Sequence, residues 1–437
     1  MKGIKVLIIV YYWPPSGGAG VQRWVKLTKY MTQYGLIPYV LTVHEDYASY
    51  MQLDESLCKD ISPEVNIFKT KSFEPINYYS KIVGKKNVPT AGFSNVDNTS
   101  FVQKAVNAIR SNLFIPDPRR GWNRYAYKKA KEIIRKENIE LVITTSPPHS
   151  TQLIGLKLKQ NLNVKWIADL RDPWTDIYYY KILGHSFLSR RIDKYFERKV
   201  LEKSDKIITV SEGFKDLFIK ENDSVSGKIK VIPNGFDSKD FQHLIKKPNK
   251  VFTICYTGTI SEQYNLSSFI SAIRQVQDDN EGVKVNLQIV GSISKSTVDE
   301  ILSNNLDLEL VKTVPHSEVT QYQKNADLLL LIIPDVQYSA GIIPAKVFEY
   351  LASGNHILCL GPSDCDAARI IDKCEMGQTI ERTNRQAIVD YLKEEYLKFE
   401  ENQENEVNFK EINSFSRESQ AEVLAETVKS MTSVFDK

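Results

Sequence analysis

Short apolar runs rich in β-branched residues alternate along the chain with segments whose apolar residues recur at helical spacing. The runs predict strands, and the segments between them predict amphipathic helices. In the first half, strands are predicted at 5–10, 39–43, 141–145, 166–170, 206–210 and 229–232, and helices at 21–34, 125–136, 151–160 and 191–203. This alternation is typical of a parallel sheet covered by helices on both faces.

The same pattern begins again after residue 250. Strands are predicted at 252–257, 285–290, 327–333 and 356–360, with a helix at 345–353. We therefore predict an α/β protein with two doubly wound, Rossmann-like domains, at 1–235 and 236–415, and a helix within 416–437 that packs back on the first domain. Ligands of open parallel sheets bind beyond the carboxyl ends of the strands, so a cleft between the two domains is the expected site.

The composition is typical of soluble proteins, with 42% hydrophobic and 25% charged residues among 437. Five scattered cysteines show no metal-ligand spacing, so we expect a reducing cytoplasm and neither a zinc site nor a disulfide framework. The N-terminal apolar run ends at Pro14 and Pro15, which favours a buried first strand over an export signal. No apolar run approaches the ~20 residues needed to cross a bilayer.

The charge is divided unevenly between the two halves. Residues 1–235 carry 37 Lys and Arg against 23 Asp and Glu, whereas the rest of the chain is net acidic. Two segments of the basic half, 119–136 and 181–203, concentrate basic residues, and the second also carries Phe187, Leu188, Tyr195 and Phe196. Such a face suits an anionic membrane surface, although each segment alone also fits an ordinary solvated helix.

A glycine loop, "YYWPPSGGAGVQRW", joins the first predicted strand to the first predicted helix. Backbone amides at Gly17 and Gly18 can approach a phosphate closely, and the positive end of the helix dipole favours an anion. The spacing is not G-x-G-x-x-G, and no acidic residue ends the second strand as a dinucleotide fold requires, since Glu45 comes only after His44. This disfavours an NAD enzyme. A tight turn that needs positive φ is the alternative interpretation.

A second loop and helix lie in the other half, in "SAGIIPAKVFEYLASGNHILCLG". Lys346 and Glu349 are one helical turn apart, so their side chains share a face of the helix. A surface ion pair would account for this spacing equally well.

Together these motifs resemble the family 4 retaining glycosyltransferases of the GT-B fold. The resemblance covers nearly the whole chain, because "TTSPPHSTQLIG", "WIADLRDPW", "VIPNGFD" and "VPHSEVTQYQKNADLLLLI" also match family segments in the same order. The resemblance implies two domains facing across a cleft, a nucleotide diphosphate sugar as donor, no other cofactor and no metal. These segments are similar to those of bacterial enzymes that build surface polysaccharides.

The resemblance also assigns residues to the donor. Glu349 is expected to bind the nucleotide ribose, and backbone amides before the helix, at Gly341, Ile342 and Ile343, are expected to bind the diphosphate. A carboxylate suits the ribose because it accepts hydrogen bonds from both hydroxyls. The further donor residues implied by the resemblance are Gly17, Gly18, Gly258, Thr259, Pro315 and Lys346, and His316 is expected near the base through its backbone.

Two positions depart from the family pattern. Gly341 stands where the family usually has a first glutamate, eight positions before Glu349, and Thr259 stands where many members have a phosphate-binding arginine. Lys346 and Arg171 are therefore the cations expected to offset the diphosphate charge. An acid pair, Asp364 and Asp366, is not assigned a metal.

In the first domain we expect His149, Asp169, Arg171 and Asp172 to line the cleft and to orient or activate the acceptor. The predicted function is transfer of a sugar with retention to a saccharide or lipid-linked saccharide, by a cytoplasmic protein attached peripherally to the inner membrane face. No nucleic acid partner is expected. A sugar-nucleotide 2-epimerase of the same fold and a non-catalytic sugar-binding protein are the alternatives.

Overall fold

Two parallel sheets organise the chain, one in each of two units. The computed structural model describes residues 3–50, 52–74, 111–279 and 282–432. One unit comprises Met1–Pro233 with Arg417–Lys437, and the other comprises Asn234–Ser416. These bounds lie within two residues of the predicted domain bounds, 235 and 415, and assign the last helix to the first unit.

The elements of the first unit follow the predicted alternation. Their bounds are β1 Ile4–Ile9, α1 Ala19–Met31, β2 Leu36–Val43, β3 Asn66–Thr70, α2 Asn123–Glu137, β4 Leu141–Ser146, α3 Ser150–Leu162, β5 Lys165–Leu170, α4 Phe187–Lys203, β6 Lys206–Thr209, α5 Glu212–Glu221 and β7 Ile229–Val231. The seven strands pair in parallel in the order β3-β2-β1-β4-β5-β6-β7. The first strand is therefore central, which explains its continuous apolar run.

The second unit repeats the plan with six strands. Its bounds are β8 Phe252–Ile260, α6 Ser267–Asp279, β9 Val285–Ile293, α7 Lys295–Ser303, β10 Asp307–Val311, α8 His316–Asn325, β11 Leu328–Ile332, α9 Lys346–Ser353, β12 Ile357–Leu360, α10 Asp366–Cys374, β13 Gly377–Ile380, α11 Arg385–Glu400 and α12 Phe409–Asn413, and α13 Arg417–Thr432 follows it. The strand order is β10-β9-β8-β11-β12-β13, again parallel. The fold is thus the predicted α/β class with two Rossmann-like sheets.

Three strands that the sequence did not predict all lie at sheet edges, namely β3, β10 and β13. An edge strand has one neighbour and a partly solvated face, so its sequence lacks the apolar run of a central strand. Strand β2 begins earlier than predicted and includes Pro38. Its pairing with β3 starts only at Tyr39, so the missing N–H of Pro38 falls where the strand has one neighbour.

The C-terminal helix α13 packs against α1. Its apolar face, including Leu424 and Val428, joins the core cluster that contains Trp24 and Val25 of α1. Burial of this face anchors the end of the chain on the first unit. None of the helices in the described residues has the length and apolar character needed to span a membrane.

Candidate active site

In the second unit, the predicted loop residues Gly341, Ile342 and Ile343 come directly before helix α9, which carries Lys346 and Glu349. No side chain caps this helix, but the amides of Val347 and Phe348 already donate to the carbonyls of Pro344 and Ala345. In the first turn, the Lys346 amide donates to no backbone carbonyl among the described residues and keeps its capacity to bind an anion. The amides of Gly341 and Ile342 are already used, because they donate to the carbonyls of Tyr338 and Ser339 in the preceding turn. Of the three predicted loop amides, only that of Ile343 donates to no backbone carbonyl among the described residues.

Lys346 is the cation of this site. Its ammonium lies 3.8 Å from the ring centroid of Tyr256, a cation–π contact. It also lies beside Gly258, where a Cβ would come within 2.9 Å of Nζ, so this glycine leaves room for the ammonium. Burial lowers the pKa of Lys346 to about 7, and the negative charge of Glu349 offsets only part of this effect. Among the described residues Lys346 forms no ion pair within 4.0 Å, so an anionic ligand would stabilise its charged form.

The Glu349 carboxylate is held on both oxygens. Oε1 lies 2.9 Å from His316 Nε2, and Oε2 accepts a hydrogen bond of 2.9 Å from Gln323 Nε2. Burial alone would raise the pKa of Glu349, but the bonds from His316 and Gln323 and the charge of Lys346 outweigh it, and the pKa is lowered. The carboxylate is therefore ionised near neutral pH and keeps lone pairs for further hydroxyl donors.

The His316 side chain therefore takes part in this group through its bond to Glu349, in addition to the backbone contact near the base that the sequence predicts. Helix α8, which begins at His316 immediately after Pro315, carries both this imidazole and Gln323. Gln323 also reaches the Thr257 hydroxyl, and the Tyr350 hydroxyl lies 3.0 Å from the Thr257 amide. Gln323 and Tyr350 were missed because they lie in helices and look like ordinary core positions.

Thr259 forms no hydrogen bond to Glu349, His316 or Gln323 among the described residues. Its side chain is exposed, and its hydroxyl lies 3.1 Å from Ser292 Oγ on the neighbouring strand. It follows Gly258, which has φ +124°, at the carboxyl end of β8. The exposed hydroxyl remains available to a ligand.

In the first unit, the opening glycine loop forms an uncapped helix start. Gly18 is the N-cap residue of α1, with φ 102° and ψ 161°, a conformation that is almost restricted to glycine. No side chain caps the helix. The Gly17 amide, however, donates to the Gln52 carbonyl at 3.0 Å, so the predicted phosphate contact of Gly17 would require that bond to break.

Arg171 lies over the first turn of α1. A Cβ on Gly20 would come within 2.0 Å of its Nη1, so only glycine permits this position of the guanidinium. Arg171 Nε donates 2.9 Å to the Ser146 carbonyl, which fixes the side chain. A cation at the positive end of a helix dipole is unfavourable by itself, and an anion bound between them would remove the repulsion. This arrangement favours an anion site at the opening loop.

The structure corrects the expected position of Asp169. Its side chain is completely buried, and its carboxylate accepts hydrogen bonds from Trp24 Nε1 at 2.9 Å and Thr145 Oγ1 at 2.7 Å. It also pairs with the buried guanidinium of Arg23 at 3.4 Å. A carboxylate with these partners supports the core between α1 and the sheet and does not line the site.

Four of the predicted residues do share a cavity of about 480 Å³ in the first unit, namely Gly17, His149, Arg171 and Asp172. The His149 ring stacks on Trp174 with centroids 5.0 Å apart, and both of its nitrogens are buried without a partner among the described residues. Burial and the charge of Arg171 lower the pKa of His149 to about 3, so the imidazole is neutral. Burial raises the pKa of Asp172, and Arg171 only partly opposes this.

Comparisons with known proteins agree with this fold. Residues 91–240 match the family model described as Glycosyltransferase Family 4. No curated protein matches the chain. A glycosyltransferase from Rickettsia africae is similar over 99% of both chains, with 15% identity and a TM-score of 0.57.

Two further solved structures have a TM-score of 0.54 and 12% identity. One is Anabaena HepE in complex with UDP-glucose, similar over 98% of this chain and all of that chain. The other is a Listeria monocytogenes protein assigned as a UDP-N-acetylglucosamine 2-epimerase, similar over 99% and 97%. At these identities the similarity establishes the fold. The chain therefore has the GT-B fold, and its residues 91–240 carry the sequence features of Glycosyltransferase Family 4.

Proposed function

We propose that the protein transfers a sugar from a nucleotide diphosphate sugar to a saccharide or lipid-linked saccharide acceptor, with retained anomeric configuration, in cell-surface polysaccharide synthesis. The observation that carries this proposal is that helix α9 brings together a carboxylate suited to the ribose and a cation suited to the diphosphate. Glu349 provides an ionised carboxylate that would accept hydrogen bonds from ribose hydroxyls. Lys346, one turn before it, is a cation that lacks an ion-pair partner among the described residues. The family-model match in residues 91–240 supports the same chemistry.

The proposed catalysis is stabilisation of the departing diphosphate. Charge that develops on the leaving group would meet the Lys346 ammonium and the backbone amides of Ile343 and Lys346. The Gly18 loop and Arg171 offer a second set of positive groups in the first unit. His149 and Asp172, both in the cavity of the first unit, are the groups that we propose orient the acceptor hydroxyl.

A binding screen tests the donor assignment. Thermal unfolding is measured with a panel of nucleotide diphosphate sugars that begins with UDP-glucose, the ligand of the similar HepE structure. A donor at 100 times its Kd should stabilise the folded protein by about 2.7 kcal/mol. A panel in which no nucleotide sugar shifts unfolding would contradict the proposed function.

A sugar-nucleotide 2-epimerase is the second candidate, because a protein assigned to that activity has the same fold. An epimerase would use the same ribose carboxylate but would convert the donor when no acceptor is present. A non-catalytic binding protein would bind the donor and leave it unchanged. Product analysis with and without acceptor separates the three functions.

Replacing Gly18 by valine should lower donor affinity and turnover, because a β-branched residue cannot hold φ 102° and the amides of the opening loop would move. Gly35→Val is the matched control. Gly35 also has positive φ, at 81°, and a Cβ there meets no atom within 4 Å, but it lies outside the loop. We expect both variants to lose similar stability and only Gly18→Val to lose donor binding, measured by calorimetry. If Gly18→Val binds the donor like the parent, the opening loop is a structural turn that does not bind the donor phosphates.

Peripheral membrane attachment is proposed for helix α4. Leu188, Arg191, Tyr195 and Arg198 follow one another at helical spacing along its exposed face, and Phe187 beside them is 79% exposed. Arg198 pairs with Glu202, whereas Arg191 forms no ion pair among the described residues. This apolar and basic face suits the surface of an anionic bilayer.

Co-sedimentation with vesicles checks this surface. We expect binding to anionic but not to neutral vesicles and release by high salt, because charge attraction decays over ~8–10 Å. Arg190→Glu with Arg191→Glu should weaken binding at least about tenfold, since each basic residue contributes about 1 kcal/mol. Lys194 is a poor choice for reversal, because it already pairs with Asp176, Glu197 and Glu221.

The matched control reverses two exposed lysines of the second unit, Lys284→Glu with Lys312→Glu, for the same change in net charge. This variant should bind vesicles like the parent. Equal losses in both double variants, or binding that ignores lipid charge, would mean that α4 is an ordinary solvated helix.

A further inference from the structure

The cavity of the first unit is mostly apolar. Phe114, Trp174, Ile177, Tyr180 and Leu183 are among the side chains that line it, together with polar residues that include Ser16, Gln52, Asp117, Arg119, His149, Arg171 and Asp172. Of these, Asp117 already accepts from Ser150, and Arg119 already donates to the Ser49 carbonyl. A saccharide exposes hydroxyl groups in all directions and needs many hydrogen-bonding partners when it is buried. This lining offers few partners and much apolar surface.

The aromatic part of the wall is fixed by one buried carboxylate. Asp193 of α4 accepts from Trp174 Nε1 at 2.9 Å through one oxygen and from the Tyr180 hydroxyl at 2.8 Å through the other. The Tyr180 ring also stacks on His185, with centroids 3.9 Å apart. Two rings held in this way give the cavity a shape that exists before any ligand binds, which reduces the ordering cost of binding.

The His149 imidazole lies next to this aromatic wall. Trp174, held by Asp193, stacks on His149, whose two buried nitrogens have no partner among the described residues. A neutral imidazole next to an apolar wall can bond one hydroxyl of a ligand while the rest of that ligand contacts carbon atoms. The combination fits a ligand with a polar end and a hydrocarbon end.

We propose that this cavity binds the hydrocarbon portion of an amphipathic acceptor, so that the acceptor is a lipid-linked sugar and a free saccharide is a poor substrate. Asp193 is a positioning residue for the cavity wall, and His149 meets the sugar end. The proposal rests on the proposed glycosyl transfer and narrows its acceptor class. It agrees with the position of Asp193 on α4, whose opposite face carries the proposed membrane-binding residues.

Alkyl glucosides below their critical micelle concentrations test the cavity with the full-length protein. Methyl, hexyl and octyl glucoside are titrated by calorimetry. Affinity should rise about fourfold for each methylene group that enters the cavity, so octyl glucoside should bind far more tightly than methyl glucoside. Equal affinities for methyl and octyl glucoside would overturn the proposal.

Two cavity variants and one control locate the binding site. Ile177→Asp places a charge in the wall, and Ile177→Trp fills the cavity without adding a charge. Each should weaken octyl glucoside binding at least tenfold and leave methyl glucoside unchanged. Ile245→Asp makes the same isoleucine-to-aspartate change on the surface of the second unit, where Ile245 is 80% exposed, and should bind octyl glucoside like the parent.

The outcomes distinguish binding in the cavity from binding elsewhere on the protein. Octyl glucoside binding that survives both Ile177 variants, or that is weakened equally in Ile245→Asp, would place the hydrocarbon outside the cavity and overturn the proposal. Nucleotide sugar binding is measured on the same samples. If donor binding is present and chain length has no effect, only the acceptor class is wrong. If donor binding is absent throughout, the proposed function itself fails.

Discussion

Replacing Lys346 by methionine should lower kcat for sugar transfer about 100- to 1000-fold, the range seen when one group that stabilises transition-state charge is removed. Methionine keeps the length and apolar stem of the side chain and its contact with Tyr256, but it brings no charge to the diphosphate. Donor KM should rise as well, because the same ammonium pairs with the diphosphate of the bound donor, but kcat should show the larger loss, because the charge on the leaving oxygen is greatest in the transition state. Steady-state kinetics with the selected donor give both values.

The pH dependence of donor affinity provides an independent test of Lys346. The free ammonium has a pKa of about 7, and a bound diphosphate favours its charged form and raises that pKa. Affinity should be constant below pH 7 and fall as the pH rises above it, by up to tenfold per unit. The diester phosphates of the donor remain ionised throughout. Lys346→Arg should abolish this fall, because the guanidinium keeps its charge. An unchanged pH profile in Lys346→Arg would contradict the role.

The Glu349→Ala variant should bind the donor about 5- to 150-fold more weakly, which corresponds to about 1–3 kcal/mol for ribose hydroxyls left without their acceptor. Calorimetry with the selected nucleotide sugar measures the loss. Removal of the carboxylate also leaves His316 and Gln323 without their partner, so thermal unfolding without donor is measured in parallel. A variant that folds and binds the donor like the parent would show that the assignment is wrong.

The His316→Ala variant tests whether His316 only positions the Glu349 carboxylate or also contacts the donor itself. This variant keeps the carboxylate and its bond from Gln323 but removes the group that holds the other oxygen. We expect a smaller loss of donor affinity than in Glu349→Ala. Equal losses would mean that the imidazole itself contacts the donor.

The central strands could be predicted from sequence because they are buried on both faces. Strands β1 and β4 each have a strand on both sides in the sheet, and each contains a short apolar run, 6–9 in β1 and 141–143 in β4. The edge strand β10, Asp307–Val311, mixes Asp307 and Glu309 with apolar residues because one of its sides is solvated. Its strand character comes from pairing with β9, a long-range interaction that local patterning does not reveal.

In the candidate site, contacts within one helix could likewise be predicted from the sequence, whereas contacts between helices could not. Lys346 and Glu349 could be paired from their spacing, because an α-helix fixes the geometry of residues three apart. His316 and Gln323 lie 33 and 26 residues before Glu349, and only the packing of α8 beside α9 brings them to the carboxylate. For the same reason, Asp169 could not be recognised as a core residue from the sequence.

The most direct measurement of the central claim is NMR spectroscopy of the donor sugar during turnover. The nucleotide diphosphate sugar selected by the binding screen is labelled with ¹³C and incubated with the protein, with and without octyl glucoside as the acceptor probe. We predict that a new glycosidic bond with the donor's anomeric configuration, together with free nucleoside diphosphate, forms only when the acceptor is present. Inversion at carbon 2 of the donor without acceptor, or a bound donor that never changes, would contradict glycosyl transfer.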